Sequence, residues 1–284
     1  MEDLSGDLPF GTFALTPARG WLRERMTGLP AGRFGRTCAS LIRRLLTWRQ
    51  PGIFDVEVFP TINARLYPAT NVCEKRVFMN TRYFDAQERN YLDEVIRIST
   101  SDPLVFLDVG ANVGLYGLSV VSSARRYGRE ARVICIEPDD TTRARLINNV
   151  AFSGASELFT IENCGVGPIR GRGSITVHPD NRGEHRIVTT NGEAIGSIEI
   201  KPLQDICAEH GITRIDALKI DVEGLDFDVL KSFFDVAAVS LYPQVIIAER
   251  DNQKGPSNIA VMCEARGYSL VKQTSLNFIL ARVD

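Results

Sequence analysis

The chain has 284 residues, of which 44% are hydrophobic and 24% charged, and its formal net charge is −2. This composition is typical of a globular protein, and the near-neutral charge argues against a nucleic-acid partner. No apolar run reaches the roughly 18 residues that a membrane-spanning helix needs, and acids near the start (Glu2, Asp3 and Asp7) are not typical of a secretory signal. Six scattered cysteines without a C-x-x-C pair favour a reducing, cytoplasmic location.

Residues 1–100 are interpreted as an N-terminal extension and cap. Within them, residues 19–50 hold eight arginines and one acid and end in "LIRRLLTWR". This pattern predicts either a basic amphipathic helix that contacts anionic lipid or an ordinary cap helix whose arginines face solvent, and we favour the second. Residues 55–66 alternate in polarity and break at Pro60, which predicts a short hairpin, and residues 85–99 predict a helix.

From about residue 103, short apolar segments alternate with amphipathic ones, which indicates βαβ units and a parallel sheet. Strands are predicted at 104–109, 132–136, 158–162, 217–220 and 244–248. Helices are predicted at 116–127, in a segment that Gly154 closes, and near 225–234. Two alternating runs at 268–273 and 277–283 predict a C-terminal antiparallel hairpin. Residues 101–284 are therefore predicted to form one α/β domain.

Residues 168–200 form a glycine-rich, polar insertion between the third and fourth predicted strands. An insertion of this length is uncommon unless it has its own short strands or acts as a lid. We expect it to rise at the carboxyl ends of the strands, where open α/β sheets bind ligands.

The stretch "FLDVGANVG" joins the first strand of this domain to its helix. A dinucleotide loop requires G-x-G-x-x-G, and here Asn112 stands where the second glycine would approach a pyrophosphate. Asp108, two positions before Gly110, would repel phosphates but would favour a cationic amine or sulfonium. The loop, which ends at Gly114, therefore predicts S-adenosylmethionine, whose carboxylate would lie near the following helix N-terminus. The alternative is a capped turn without a ligand.

Two further segments extend this pattern. Glu137 follows the second strand in "ICIEPDD", where an acid accepts hydrogen bonds from ribose hydroxyls. The alternative is a surface acid at a helix start. After the third strand, "ENCGVG" places Asn163 and Cys164 where they would border the adenine.

The segment "ALKIDVEGLDFDVL" ends the fourth strand with two acids, Asp221 and Glu223. Lys219 lies on the same side of the strand as Asp221. Two acids here could activate a substrate hydroxyl, bind a divalent cation or hold an acceptor. The alternative is simple charge complementarity at a helix N-terminus.

Together, "FLDVGANVG", "CIEPDD", "NCGVG", "LKIDVEG" and "VIIAER" resemble the FkbM family of S-adenosylmethionine-dependent methyltransferases. The resemblance covers roughly residues 100–284, and "FMNTRYFDAQERNYL" is similar to the segment that precedes this domain in the family. It implies a class I methyltransferase fold, which is a Rossmann-like seven-stranded sheet with the terminal hairpin. It also implies methyl transfer, usually to a hydroxyl of a sugar or another natural-product group.

The resemblance assigns roles to individual positions. It implies that the cofactor is bound by Asp108, Gly110, Asn112, Gly114, Glu137 and Asn163, and that the acids of the family's fourth motif are Asp221 and Glu223. Cys164 and Gly165 stand where alanines are usual. The first 50 residues have no counterpart in the resemblance.

Our mechanistic hypothesis makes Asp221 the general base or a metal ligand, with Glu223 second and His185, in the insertion, as the rival base. A divalent metal is therefore an open alternative, although the scattered cysteines and three histidines predict no structural metal site. The expected partner is a sugar-containing or small-molecule acceptor. Two other functions stay open: a nicotinamide-dependent oxidoreductase and a cofactor-binding scaffold without chemistry.

Overall fold

The computed structural model describes residues 6, 8–28, 32–178, 181–189, 198–222, 224–250 and 258–283. For residues 27, 33, 36, 39, 175–178 and 181–189 it describes the backbone alone. The described helices are α1 (Pro17–Thr27), α2 (Arg33–Thr47), α3 (Val72–Met79), α4 (Ala86–Ile98), α5 (Leu115–Tyr127), α6 (Asp140–Phe152), α7 (Leu203–Glu209), α8 (Asp226–Val236) and α9 (Ile259–Glu264). The described strands are β1 (Phe54–Phe59), β2 (Ile62–Leu66), β3 (Leu104–Val109), β4 (Ala131–Ile136), β5 (Phe159–Glu162), β6 (Gly165–Val166), β7 (Gly171–His178), β8 (Asn181–Thr189), β9 (Ile198–Lys201), β10 (Ala217–Ile220), β11 (Val245–Glu249), β12 (Tyr268–Gln273) and β13 (Asn277–Arg282).

The central sheet has seven strands in the order β12-β13-β11-β10-β3-β4-β5. The five strands from β11 to β5 are parallel, and β13 joins β11 in the antiparallel direction and forms a hairpin with β12. This order confirms the predicted α/β fold of the class I methyltransferase type, including the C-terminal hairpin. The strand order reverses between β3 and β10, so the ends of these two strands flank the natural ligand crevice.

Both faces of the sheet are covered, which explains why its strands are continuous apolar runs. One face packs against α3, α4, α5 and α6 together with β1 and β2. The opposite face packs against α7, α8 and α9. The N-terminal elements share the first of these cores with the sheet, because Leu66 and Val77 lie in the same buried cluster as Phe106 and Leu118. The division into parts 1–100 and 101–284 stays a prediction.

The basic segment 19–50 forms two helices, α1 and α2, rather than one. The predicted hairpin at 55–66 is present as β1 and β2, and the helix predicted at 85–99 is α4. The insertion also has strands of its own: β7 and β8 pair in a four-stranded sheet with β6 and β9. No helix among the described residues is long and apolar enough to cross a membrane.

A buried ion pair anchors the start of the chain. Nε of Arg65 donates to Oδ1 of Asp55 at 2.7 Å. The two terminal nitrogens of Arg65 donate to the carbonyls of Leu8 and Pro9 at 2.9 and 2.8 Å. The other Asp55 oxygen accepts from the backbone amides of Gly11 and Phe13. Because every part of this network is hydrogen-bonded, the pair holds residues 8–13 against the hairpin despite the unfavourable desolvation of both charges.

Glu74 on α3 is a buried acid whose titration opposes folding. Its carboxylate lies 3.5 Å from Nη1 of Arg145, yet burial raises its pKa from 4.5 to about 7 against the effect of that arginine. The folded state therefore binds this proton more tightly than the unfolded state. Protonated Glu74 is thus more favourable in the folded protein than ionised Glu74. This contribution to the free energy of unfolding is fully present below about pH 4.5 and is lost as the pH rises through about 7.

We expect Glu74→Gln to flatten the fall in the free energy of unfolding between these pH values by on the order of 2 kcal/mol. Denaturant titrations at several pH values measure this slope. Glu264→Gln, at an exposed position, is the matched control and should leave the slope unchanged. An identical slope in Glu74→Gln and the wild type would contradict the assignment.

Candidate cofactor and active site

A cavity of about 210 Å³ lies at the carboxyl ends of β3 and β10, where the strand order reverses. Its wall combines the loop after β3 with apolar side chains from α3 and α5. Six charged side chains also line it: Arg76, Asp85, Asp108, Lys219, Asp221 and Glu249. A crevice at this position, with charged groups converging on it, is the expected binding site of an open α/β sheet.

The loop after β3 has left-handed backbone at three positions. Gly110, Asn112 and Gly114 have φ values of +75°, +53° and +81°. Asn112 tolerates this conformation because its side chain bonds locally: Oδ1 accepts from the amide of Val113 and from Nδ2 of Asn71, each at 2.8 Å. The asparagine side chain thus occupies the place that a dinucleotide loop keeps open with glycine.

Gly110 is the point where this loop meets the loop after β10. A Cβ atom at Gly110 would lie 2.0 Å from the backbone oxygen of Asp221. The amide of Asp221 in turn donates to the carbonyl of Val109 at 3.0 Å. The two loops that carry the predicted cofactor and catalytic residues are therefore in direct backbone contact.

Asp108 is the penultimate residue of the buried strand β3 and faces the cavity while being only 1% exposed. Its Oδ2 accepts from the amide of Gly117, in the first turn of α5, at 3.1 Å. Burial raises the pKa of Asp108 to about 7, although Lys219 and the Gly117 amide act in the opposite direction. A carboxylate in such surroundings gains stability from any cationic ligand that enters the cavity.

Lys219 lies beside Asp108 in the sheet, because the two residues are direct partners in the pairing of β10 with β3. Its Nζ lies 3.1 Å from Oδ2 of Asp221, which confirms that these side chains share one side of the strand. Burial lowers the pKa of the Lys219 ammonium, but the carboxylates of Asp221 and Asp226 outweigh burial and hold it above its ordinary value. The lysine thus stays charged and fixes Asp221, whose side chain is 42% exposed, at the cavity wall.

Glu137 connects two loops. It follows β4 directly, is 4% exposed, and accepts from the amide of Asn112 through Oε2 at 2.8 Å and from the amide of Asp139 through Oε1 at 3.0 Å. Each carboxylate oxygen has two lone pairs, so further donors such as hydroxyl groups can also be accepted. Glu137 is consequently placed beside the loop that begins at Gly110.

The two residues after β5 differ in their surroundings. Asn163 is exposed, and its Oδ1 accepts from Nη1 of Arg143 at 2.5 Å. Cys164 is 0% exposed and belongs to the apolar cluster between the sheet and α7, and burial raises the pKa of its thiol to about 12. The Cys164 side chain is therefore an inert packing residue in this conformation, and its predicted contact with adenine stays a prediction.

Two predicted catalytic residues cannot be placed. Glu223 lies outside the described residues, and so does the side chain of His185, of which β8 shows only the backbone. The backbone of β8 nevertheless locates the hairpin. Cα atoms of β8 lie within 8 Å of Cα atoms of α3, a helix that lines the cavity. The hairpin of the insertion thus reaches the cavity side of the molecule.

The structure adds residues that the sequence did not single out. Asp85, the N-cap of α4, lines the cavity and accepts from the hydroxyl of Tyr116 at 2.8 Å. Burial raises the pKa of Tyr116 well above its ordinary value, and the nearby carboxylate of Asp85 raises it further. The phenol therefore stays a neutral donor. Asn71 reaches the same site through Asn112. Of these residues, only Asp85 lies in the segment "FMNTRYFDAQERNYL", which the sequence singled out.

A second cavity, of about 520 Å³, adjoins the first and shares Val72, Arg76, Asp85 and Leu276 with it. Lys75 and Arg82 also line this second cavity, so it contains three cationic side chains. The described part of the chain contains no group of three or more His, Cys, Asp and Glu residues arranged to hold a metal ion.

Comparison with known protein families identifies this arrangement. The model of the methyltransferase FkbM domain matches residues 108–270, which is more than half of the chain and runs from Asp108 to the first residues of β12. This chain belongs to the FkbM methyltransferase family. The match starts at Asp108 and includes the segment from Lys219 to Gly224. Membership of the FkbM family favours a methyltransferase over a nicotinamide-dependent oxidoreductase.

Individual proteins with similar sequences are also named as methyltransferases. The chain is 26% identical over 202 residues to methyltransferase sdnD of Sordaria araneosa, which covers 61% of this chain and 76% of that protein. It is 29% identical over 150 residues to the 2-O-methyltransferase NoeI of Sinorhizobium fredii, which covers 45% of this chain and 56% of NoeI. A crystal structure of methyltransferase FkbM from Methylobacillus flagellatus is 18% identical, with a TM-score of 0.42, and covers 93% of this chain and 57% of that one. The chain therefore spans little more than half of NoeI and of the Methylobacillus chain.

Proposed function

We propose that the chain is an S-adenosylmethionine-dependent O-methyltransferase that acts on a hydroxyl of a sugar-containing or other natural-product acceptor. The observation that carries the proposal is Asp108, a carboxylate that is buried and yet faces a cavity beside a loop without a dinucleotide fingerprint. A carboxylate held this way is suited to a cationic cofactor and unsuited to a pyrophosphate. The similar protein NoeI is a 2-O-methyltransferase, which supports oxygen as the acceptor atom.

The residues present fit this cofactor. S-adenosylmethionine supplies an activated methyl group on a positively charged sulfur. Asp108 would stabilise its positive charge, and Glu137 would accept hydrogen bonds from the ribose hydroxyls. The amides of the first turn of α5 would stabilise its carboxylate. Asn163, exposed after β5, would border the adenine, as would Cys164 if its loop rearranges.

The acceptor would enter through the second cavity. The wall that the two cavities share, at Arg76, Asp85 and Leu276, is the place where an acceptor oxygen could meet the cofactor. Tyr83 also lines the second cavity, and its buried hydroxyl has no hydrogen-bond partner among the described residues. A polar group of the acceptor would satisfy it.

Catalysis by this site would require two things: alignment of the acceptor oxygen with the methyl group of the cofactor, and removal of the proton from the acceptor hydroxyl. A hydroxyl group is a weak nucleophile until a base takes its proton, and Asp221, held at the wall by Lys219, is our proposed base. S-adenosylmethionine would supply the methyl group, and the carboxylate of Asp221 would take the proton that the acceptor hydroxyl loses. Asp85 is the rival that the structure adds, because it lines both cavities. Glu223 and His185 keep their proposed secondary roles.

A thermal-shift comparison followed by a transfer assay tests the function. We expect S-adenosylhomocysteine to raise the melting temperature and NAD to leave it unchanged. Labelled S-adenosylmethionine should then transfer its methyl group to a component of glycan or natural-product pools, and mass spectrometry identifies the modified oxygen. Stabilisation by NAD alone would overturn the proposal, and binding without transfer to any pool would favour the non-catalytic scaffold.

The raised pKa of Asp108 predicts a pH dependence of cofactor affinity. Since a cation favours the ionised form, affinity for S-adenosylmethionine should rise about tenfold between pH 6 and pH 8 as the proton with a pKa of about 7 is lost. Isothermal titration calorimetry measures this change, and Asp108→Asn should remove most of it.

Glu74→Gln is the matched control for this pH dependence. Glu74 is also buried, with a pKa that burial raises to about 7, but it does not line the cavity. The control should keep the wild-type profile. A pH profile that survives in Asp108→Asn would show that another group, such as the amine of the cofactor, causes it.

A further inference from the structure

The two N-terminal helices leave large apolar side chains in solvent. On and directly after α2, Phe34, Leu41, Leu45 and Trp48 are 76%, 57%, 61% and 64% exposed, and Trp21 on α1 is 57% exposed. A protein normally buries most side chains of this size, and neighbouring exposed ones mark a contact surface. We refer to these five side chains as the apolar stripe.

The geometry of α2 places its part of the stripe on one face. The spacings from Phe34 to Leu41, Leu45 and Trp48 are 7, 11 and 14 residues, which correspond to whole turns of an α-helix. Leu46, which is 0% exposed, points from the adjacent face into the core. The helix therefore has two apolar faces, of which one packs on the protein and the other is available to a partner.

The helices α1 and α2 pack against each other and are joined by a hydrogen bond from Arg19 to the carbonyl of Trp48 at 3.2 Å. The guanidinium groups of Arg25 and Arg49 lie over the rings of Trp21 and Trp48, at 5.1 and 5.0 Å. Each tryptophan thus carries a cation beside it.

The charge of the same segment is strongly positive. Residues 19–50 contain eight arginines against a single acid, Glu24, although the whole chain has a net charge of −2. Apolar side chains flanked by arginines match the composition of helices that lie in the interface of an anionic membrane, where cations near the surface are attracted to the lipid headgroups. A second copy of this chain is a poorer occupant, because a twofold contact would place two arginine-rich surfaces against each other.

We propose that α1 and α2 form a peripheral docking surface for a membrane that contains anionic lipid, with the apolar stripe inserted between the headgroups. This reverses the interpretation favoured from the sequence, in which the segment is a cap with solvated arginines. The reversal rests on the apolar stripe, since a solvated cap helix has no reason to expose five large apolar side chains.

The two tryptophans in the stripe are the only ones in the chain, so tryptophan fluorescence, excited selectively over the seven tyrosines, reports on this surface alone. We expect vesicles of phosphatidylcholine with phosphatidylglycerol to shift the emission of the full chain to shorter wavelength and to sediment it. Vesicles of phosphatidylcholine alone should do neither, and high salt should weaken the binding at least tenfold. An unchanged emission spectrum with both kinds of vesicle would overturn the proposal.

Two double variants distinguish binding through this surface from nonspecific hydrophobic binding to vesicles. Leu41→Asp with Leu45→Asp should abolish sedimentation with anionic vesicles. The matched control, Ile169→Asp with Val239→Asp, removes two apolar side chains that are 76% and 59% exposed elsewhere, and it should bind like the wild type. Circular dichroism and the S-adenosylhomocysteine thermal shift verify that both variants fold. If the control loses binding equally, or if the first variant only dissociates a dimer, the lipid assignment is wrong.

Discussion

Gly110→Ala is expected to abolish cofactor binding and to lower the melting temperature. A methyl group at this position would lie 2.0 Å from the backbone oxygen of Asp221, a distance that no Cβ atom tolerates. Backbone cannot move aside as a flexible side chain can, so the loops after β3 and β10 must separate. The left-handed φ of +75° adds about 1–2 kcal/mol of strain for any L-residue. Thermal unfolding with and without S-adenosylhomocysteine measures both effects.

Gly128→Ala is the matched control for this experiment. Gly128 also has a left-handed φ, of +62°, at the end of α5, but a Cβ atom there meets nothing within 4 Å. The control therefore includes the backbone strain without the collision, and it should retain cofactor binding at slightly reduced stability. If both variants lose binding to the same extent, strain rather than the contact between the loops is responsible.

Asp221→Asn is expected to lower kcat by about 10²–10⁴-fold, the range that loss of a general base produces. The amide keeps the size of the side chain and can still approach Lys219, but it cannot take a proton. Affinity for S-adenosylhomocysteine should change little, because Asp108 and Glu137 carry the proposed cofactor contacts. Steady-state transfer assays and calorimetry on the same preparation separate kcat from binding.

Two further substitutions test whether the loss of activity is specific to Asp221. Asp228→Asn removes an exposed acid from the first turn of α8, outside the cavity, and should retain full activity. Asp85→Asn tests the rival base, which lines both cavities. Full activity in Asp221→Asn together with a large loss in Asp85→Asn would transfer the catalytic role to Asp85.

The central sheet could be predicted closely from the sequence. The predicted strands at 104–109 and 217–220 coincide with β3 and β10, because strands covered on both faces are unbroken apolar runs. The helix predicted from residue 116 begins at Leu115, directly after the left-handed Gly114. The loop after β3 and Glu137 could be located for the same reason, since each directly follows a strand of the sheet, β3 or β4.

The remaining parts depend on contacts between distant segments. Asn71 and Asp85 become site residues only because α3 and the start of α4 lie against the loop after β3, and no local pattern contains that information. Asp108 and Lys219 are separated by more than a hundred positions and become neighbours through the pairing of two strands. The split between α1 and α2 does have a local signal, because Gly28, Pro30 and Gly32 stand between the two helices. The prediction of one helix over 19–50 overlooks it.

The position of β13 has a consequence for biosynthesis. This strand, residues Asn277–Arg282, lies between β11 and β12, so the spatial order of the sheet differs from the order of synthesis. While the chain leaves the ribosome, the outer edge of β11, "VIIAE", stays without its partner until β13 has been made. An apolar strand edge in this state pairs readily with other nascent chains. The stage of folding before β13 joins β11 is therefore the stage at which this edge is exposed to such pairing.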